Sequence, residues 1–195
     1  MNAKGKITAG QMVFESLCEN NGILCCRIPE TNRPMPDYEV LLHGQKALVE
    51  VKDVIPNTEE ENGKHQLLNN GYFVSSSLVG KRASFKIKDA VKQLMEAKRL
   101  QLPGILVIYD TRIHDGISEE DLLSAMFGHQ RLGLSPSNTM KSMGRSGGRL
   151  GPGKYDQVSA VGLLRILDGQ PWLHLQPNWF AAFPLPLEKG EAGSD

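Results

Sequence analysis

The chain has 195 residues, 40% of them hydrophobic and 23% charged, with 22 Lys and Arg against 22 Asp and Glu. A formal net charge of zero excludes a uniformly basic coat protein and an acidic solvating tail, although balanced totals can conceal local segregation. The mean hydropathy is −0.29 and no apolar run approaches the roughly 20 residues of a spanning helix. A soluble, cytoplasmic protein without a membrane partner is therefore expected.

The length suits one domain, placed over 1–187, with a core that needs no covalent staples and a disordered tail over 188–195. Cys18, Cys25 and Cys26 are odd in number and lack a Cys-x-x-Cys pair, so they read as buried, reduced thiols. The five histidines are scattered and offer no zinc-ligand spacing.

In chain order, Met12, Val13, Leu17 and Cys18 give one apolar face to a helix from about Ala9 to Cys18, stopped near Asn21-Gly22. Ile23 to Ile28 follows as an edge strand, and three prolines make Pro29 to Pro36 a loop. Tyr38 to Leu42 and Ala47 to Lys52 form a hairpin joined by His43-Gly44-Gln45-Lys46. The polar, acidic stretch from Pro56 to Asn70 reads as a mobile loop or insertion. Ile87, Ala90, Val91, Leu94 and Ala97 then set a helical period over Ser84 to Leu100, ended by Pro103-Gly104. Ile105 to Tyr109 has the continuous apolar character of a buried central strand. Ser118 caps a helix to Phe127, with Asp121 in the capping-box position. Val158 to Ile166 and Trp172 to Leu175 close the chain as a hairpin around Asp168-Gly169.

One pattern carries chemistry. Alternate side chains of a strand share a face, so in Leu48-Val49-Glu50-Val51-Lys52-Asp53 the two valines point into the core while Glu50 and Lys52 point together to the other side. Asp37, at the far end of the neighbouring strand, comes beside Glu50. Two adjacent carboxylates repel, and one is driven to protonate unless a cation joins them. Mg²⁺ suits the pair, taking one or two carboxylates and keeping waters or phosphate oxygens. An adjacent ammonium can hold the attacking water or offset charge on a pentacoordinate phosphate. The bland alternative is a solvated Glu-x-Lys strand face worth little energy.

Pro36-Asp37, followed after twelve intervening residues by Glu50-Val51-Lys52, resembles the PD-(D/E)XK nuclease superfamily. The resemblance spans about Glu15 to Asp110. It implies a restriction-endonuclease-like three-layer α/β fold, a mixed central β-sheet flanked by helices. It also implies a Mg²⁺-dependent nuclease, with Mn²⁺ as substitute, acting on DNA rather than RNA. Asp37 and Glu50 would be metal ligands, with the Val51 carbonyl as a third, and Lys52 the water-positioning or charge-stabilising residue. Glu15 would orient the site or help a second metal, and Gln93 and Lys88 would approach the substrate. A homodimer and a targeting partner protein follow by the same analogy. The competing classes are a non-catalytic nucleic-acid-binding or assembly protein and an RNase.

Two basic segments complete the reading. Lys81, Arg82, Lys86 and Lys88 begin a segment with seven Lys and Arg against Asp89 and Glu96, which suits phosphate contacts or a merely solvated face. The glycine-rich stretch 128–154 holds five Lys and Arg and no acid. It is either a disordered surface loop or a flexible arm that orders on nucleic acid through Arg145, Arg149 and Lys154. Gly148 to Lys154 spells GxxxxGK, but Tyr155 stands where a nucleotide loop needs Ser or Thr, and no strand enters it. His114-Asp115 reads as a turn with Gly116. Trp172, Trp179, Phe180 and Phe183 suit a core or a subunit interface.

Overall fold

The computed structural model describes residues 7–56, 80–112, 116–134 and 139–186, with the single positions 58 and 69. The expected loop at Pro56 to Asn70, the His114-Asp115 turn and the tail lie wholly or mostly outside these residues. The described elements are α1 (Ala9–Asn20), β1 (Leu24–Arg27), β2 (Tyr38–Leu42), β3 (Gln45–Val54), α2 (Lys81–Leu100), β4 (Gly104–Asp110), α3 (Glu119–Phe127), β5 (Gly128–Leu134), β6 (Met140–Gly147), β7 (Ala160–Leu167) and β8 (Gln170–Pro177). None of the described helices is long and apolar enough to cross a membrane.

Six strands form one mixed sheet in the order β1-β2-β3-β4-β7-β8. The β3–β4 and β4–β7 pairs are parallel, and the other three are antiparallel. Both hairpin turns close on two residues at positive φ, His43-Gly44 (49° and 79°) and Asp168-Gly169 (50° and 75°). Such turns match the twist of the strands they join, which explains why the first is tighter and β3 longer than the spacing predicts.

The sheet divides two apolar layers by alternation along β4 and β7. Ile105, Val107, Ala160 and Leu164 face α1, where Phe14, Leu17 and Cys18 pack on Tyr38, Val40, Val49 and Val51. Leu106, Ile108, Val161 and Leu163 face α2 and α3. The stripe Ala83, Ile87, Ala90, Leu94 and Ala97, at alternating steps of four and three, buries α2 on that side. The arrangement is a three-layer α/β sandwich with β4 central and β1 at an edge. Thr8 and Gln11 cap α1 reciprocally, and Ser118 and Asp121 do the same for α3.

Three expectations are corrected. The described residues of the 128–154 stretch are not an unstructured loop, because β5 and β6 pair antiparallel as a separate two-stranded ribbon. Cys26 is exposed and Cys25 half-buried; only Cys18 is fully buried. Of the core and interface alternatives for Trp172, Trp179 and Phe180, their exposure removes the core one, and Trp179 stacks on Phe127 at 6.4 Å between ring centroids.

Candidate functional site

The site forms where β2 runs out alongside β3. The last β2–β3 pair is Tyr38 with Val49, so one step beyond it Asp37 reaches the level of Glu50. Asp37 replaces the missing ladder partner with its own side chain, Oδ2 accepting from the Val51 N–H at 2.8 Å. Its Oδ1 accepts from Gln11 Nε2 at 2.8 Å, and its backbone carbonyl accepts from the Ile28 N–H at 2.8 Å. Strand β3 and helix α1 thus fix this carboxylate from two sides, and the residue after β1 fixes its backbone.

Glu50 points to the opposite face from Val49 and Val51, as alternation requires, but that face is not solvated. Packed beneath α2, Glu50 is 3% exposed. Its Oε1 lies 2.6 Å from Lys52 Nζ, and its Oε2 is buried with no hydrogen-bond partner among the described residues. Burial and the neighbouring Asp37 charge push the Glu50 pKa up to about 7, against the pull of Lys52. Burial also raises Asp37, while the Val51 N–H, Lys52, Gln11 and Arg27 hold it down.

Lys52 extends from the face of Glu50 toward α2. There, with the Gln93 amide assigned the orientation that satisfies both neighbours, its nitrogen donates to the Asp89 carbonyl at 2.8 Å and its oxygen accepts from Lys52 Nζ at 3.3 Å. Asp37, Glu50, Lys52 and Gln93 are therefore brought together as one constellation from β2, β3 and α2.

Other expected residues fall elsewhere. Glu15 sits one turn beyond Gln11 on α1 and accepts from the Tyr38 hydroxyl at 2.8 Å, bracing the residue after Asp37. Gln11 is the residue that touches Asp37, and the sequence reading missed it. The Thr8-x-x-Gln11 capping-box spelling was the available signal, since it fixes where α1 begins and which side chain stands at its third position. On α2, Lys86 shares the stripe of Gln93 seven positions on, whereas the exposed Lys88 points elsewhere. Lys81 is exposed and Arg82 half-buried at the start of the helix.

Arg145, Arg149 and Lys154 are engaged at the base of the ribbon. Arg145 donates to the Gly128 carbonyl at 3.0 Å and pairs with Glu120 at 3.3 Å. Arg149 Nε donates to Ser84 Oγ at 2.7 Å, and Lys154 Nζ to the Gly148 carbonyl at 2.9 Å. The GxxxxGK spelling holds no phosphate cradle, since Gly151 and Lys154 close a tight turn on each other.

An unpartnered buried carboxylate oxygen costs about 1–3 kcal/mol and calls for a ligand, a water or an ion. Among the described residues no group of three or more His, Cys, Asp or Glu could hold a metal ion. The two hard carboxylates of Asp37 and Glu50, one with a free buried oxygen, do fit a cation that takes few protein oxygens and keeps its waters, as Mg²⁺ does. They do not suit zinc, which seeks nitrogen and sulfur. No family model, curated protein or solved structure matches the chain.

Proposed function

We propose that this chain is a Mg²⁺-dependent nuclease with a restriction-endonuclease-like core, hydrolysing phosphodiester bonds in DNA. The observation that carries the reading is the buried, partnerless Glu50 Oε2 beside an Asp37 whose carboxylate is already oriented by Val51 and Gln11. Supporting it is the order α1, three antiparallel strands, α2 and a parallel β4, with Asp37 opening β2 and Glu50-Val51-Lys52 inside β3. A mixed sheet flanked by helices is what the superfamily resemblance implies.

Asp37 and Glu50, with the Val51 carbonyl, would hold the ion. Mn²⁺ would serve in its place. The bound ion supplies Lewis-acid charge at the scissile phosphate and a water of lowered pKa.

The chain's own residues do the rest. Gln11 and the Val51 N–H keep Asp37 from rotating away. Lys52, shared between Glu50 and Gln93, holds an ammonium where negative charge grows on the phosphate as water attacks and the ester oxygen leaves. The layer of α2 excludes bulk water from Glu50, which strengthens every charge interaction there. Pairing of two copies to address two strands, and a partner protein that targets the enzyme, belong to the same proposal.

The test is cleavage of plasmid and oligonucleotide substrates with Mg²⁺, Mn²⁺ or EDTA, wild type beside Glu50→Ala. Metal-dependent cutting that disappears in the variant is expected. Cutting that persists in EDTA, or in the variant, would overturn the reading.

A further inference from the structure

The β5–β6 ribbon is separate from the main sheet and packs against α3 at its base. All eight residues of β6 are exposed, Met140 and Met143 at 66% and 65%. Nothing acidic lies between Asp121 and Asp156.

Its two faces differ. The ladder pairs Gln130 with Arg145 and Leu132 with Ser142, with a bulge between them. Arg131 therefore stands opposite the extra residue at Met143-Gly144, and alternation places His129, Arg131 and Lys141 on one face. The other face carries Arg145, which reaches back to Glu120 of α3. The face with His129, Arg131 and Lys141 consequently looks away from the body. Arg131 and Lys141 are exposed and take no ion pair or hydrogen bond among the described residues, whereas Arg145, Arg149 and Lys154 are spent on the ribbon's footing.

We propose that the outward face of this ribbon, through Arg131 and Lys141, enters a groove of duplex DNA. A two-stranded ribbon matches the width of the B-form major groove, and unpaired cations on it meet phosphates along the rim. The A-form major groove of duplex RNA is too deep and narrow to admit it. A uniformly basic, acid-free arm is complementary to a polyanion and repels a second copy of itself. The inference deepens the nuclease reading by naming the substrate as double-stranded DNA, and it rests on that reading for the choice of a nucleic acid.

The experiment measures binding of the full chain to a labelled 20-base-pair DNA duplex in EDTA across a salt series, with duplex RNA of the same length in parallel. Wild type is compared with Arg131→Ala/Lys141→Ala and with the charge-keeping Arg131→Lys/Lys141→Arg. The alanine pair should weaken DNA binding about tenfold near 0.1 M salt and flatten the salt slope by about 1.8, two phosphate contacts at about 0.9 each. The charge-keeping pair should bind like wild type.

An unchanged affinity and slope in the alanine pair, equal binding of duplex RNA, or a dimer that the alanine pair converts to monomer would each overturn the proposal. The two readings fail separately. Cleavage by wild type with a silent ribbon pair would sink the ribbon alone. Ribbon-dependent DNA binding without metal-dependent cleavage would sink the nuclease alone.

Discussion

Gln11 Nε2 donates to Asp37 Oδ1 at 2.8 Å across 26 positions of the chain. The bond joins the first turn of α1 to the frayed end of β2, so the N-terminal helix belongs to the site as well as to the core. The same helix start is tied to the far end of β3. Thr8 Oγ1 and the Gly10 N–H both donate to the Asp53 carboxylate, at 3.0 and 3.2 Å. A carboxylate held in this way needs little rearrangement when it takes up a cation.

On the proposed reading, Gln11 would act as a positioning residue. Gln11→Ala should raise the Mg²⁺ concentration for half-maximal cleavage several-fold while changing the rate at saturating metal much less. Some stability, about 1 kcal/mol, should be lost with the capping box. A metal titration of cleavage separates the effects. A fall in the saturated rate with unchanged metal dependence would remove Gln11 from this role.

Glu50 dictates a pH dependence. Its folded pKa, about 7, lies above its ordinary value of 4.5, so between those values the folded state binds more protons than the unfolded one. Without metal, the contribution of Glu50 to stability is greatest below about pH 4.5 and is lost as pH rises through 7, and the raised Asp37 pulls the same way. Glu50→Gln should thus stabilise the metal-free protein by about 2 kcal/mol at pH 8 and by much less at pH 5. Mg²⁺ should reverse the order by stabilising wild type alone. Denaturation midpoints at the two pH values, with and without Mg²⁺, check this; equal midpoints throughout would show that Glu50 is neither strained nor a ligand.

On the proposed reading, Lys52 would offer charge to the reaction rather than to the ion. Lys52→Ala should reduce the rate at saturating metal by about 10²–10³, the scale of losing one preorganised stabilising donor. Gln93→Ala, which frees the same ammonium from its second tether, should cost less and leave metal affinity unchanged. Single-turnover cleavage at saturating Mg²⁺ measures both. A Lys52 variant with the wild-type rate would restrict the lysine to pairing with Glu50.

Much of this was legible in the sequence because it is local. The two-residue period at Val49 and Val51 against Glu50 and Lys52, the stripe of Ile87, Ala90, Leu94 and Ala97, and the caps at Ser118 and Asp121 are set by neighbours within a turn or a strand. The alternation rule fixed the face of Glu50 but not what covers it, and only the docking of α2 turns a solvated strand face into a buried one. Gln11 escaped because its role depends on how α1 crosses the sheet. The ribbon escaped because its glycines signal a loop, yet positive φ at Gly128, Gly144 and Gly147 serves the bulge and the ends of paired strands. The arginines chosen there by composition proved to be the ones tied at its base, a distinction that pairing register alone makes.

The close fit of α2 on the sheet, on which the burial of Glu50 depends, is set at Gly104. Its N–H donates to Ser159 Oγ at 2.9 Å, and its neighbour Pro103 accepts from the Leu48 N–H at 2.9 Å, two residues before Glu50. A Cβ on Gly104 would come within 2.4 Å of the Gln157 carbonyl oxygen and 3.2 Å of Ala97 Cβ. The first contact is with backbone and cannot be relieved by a rotamer, so β4 must shift or α2 must lift. Gly104→Ala should destabilise the protein by about 1–3 kcal/mol, the usual cost of overpacking. At about 2–4 °C per kcal/mol for a chain of this size, the thermal midpoint should drop by several degrees. Because α2 would cover Glu50 less closely, the separation between wild type and Glu50→Gln at pH 8 should shrink in the Gly104→Ala background. The four midpoints form a double-mutant cycle, and strict additivity would mean that the seal over Glu50 does not depend on this contact.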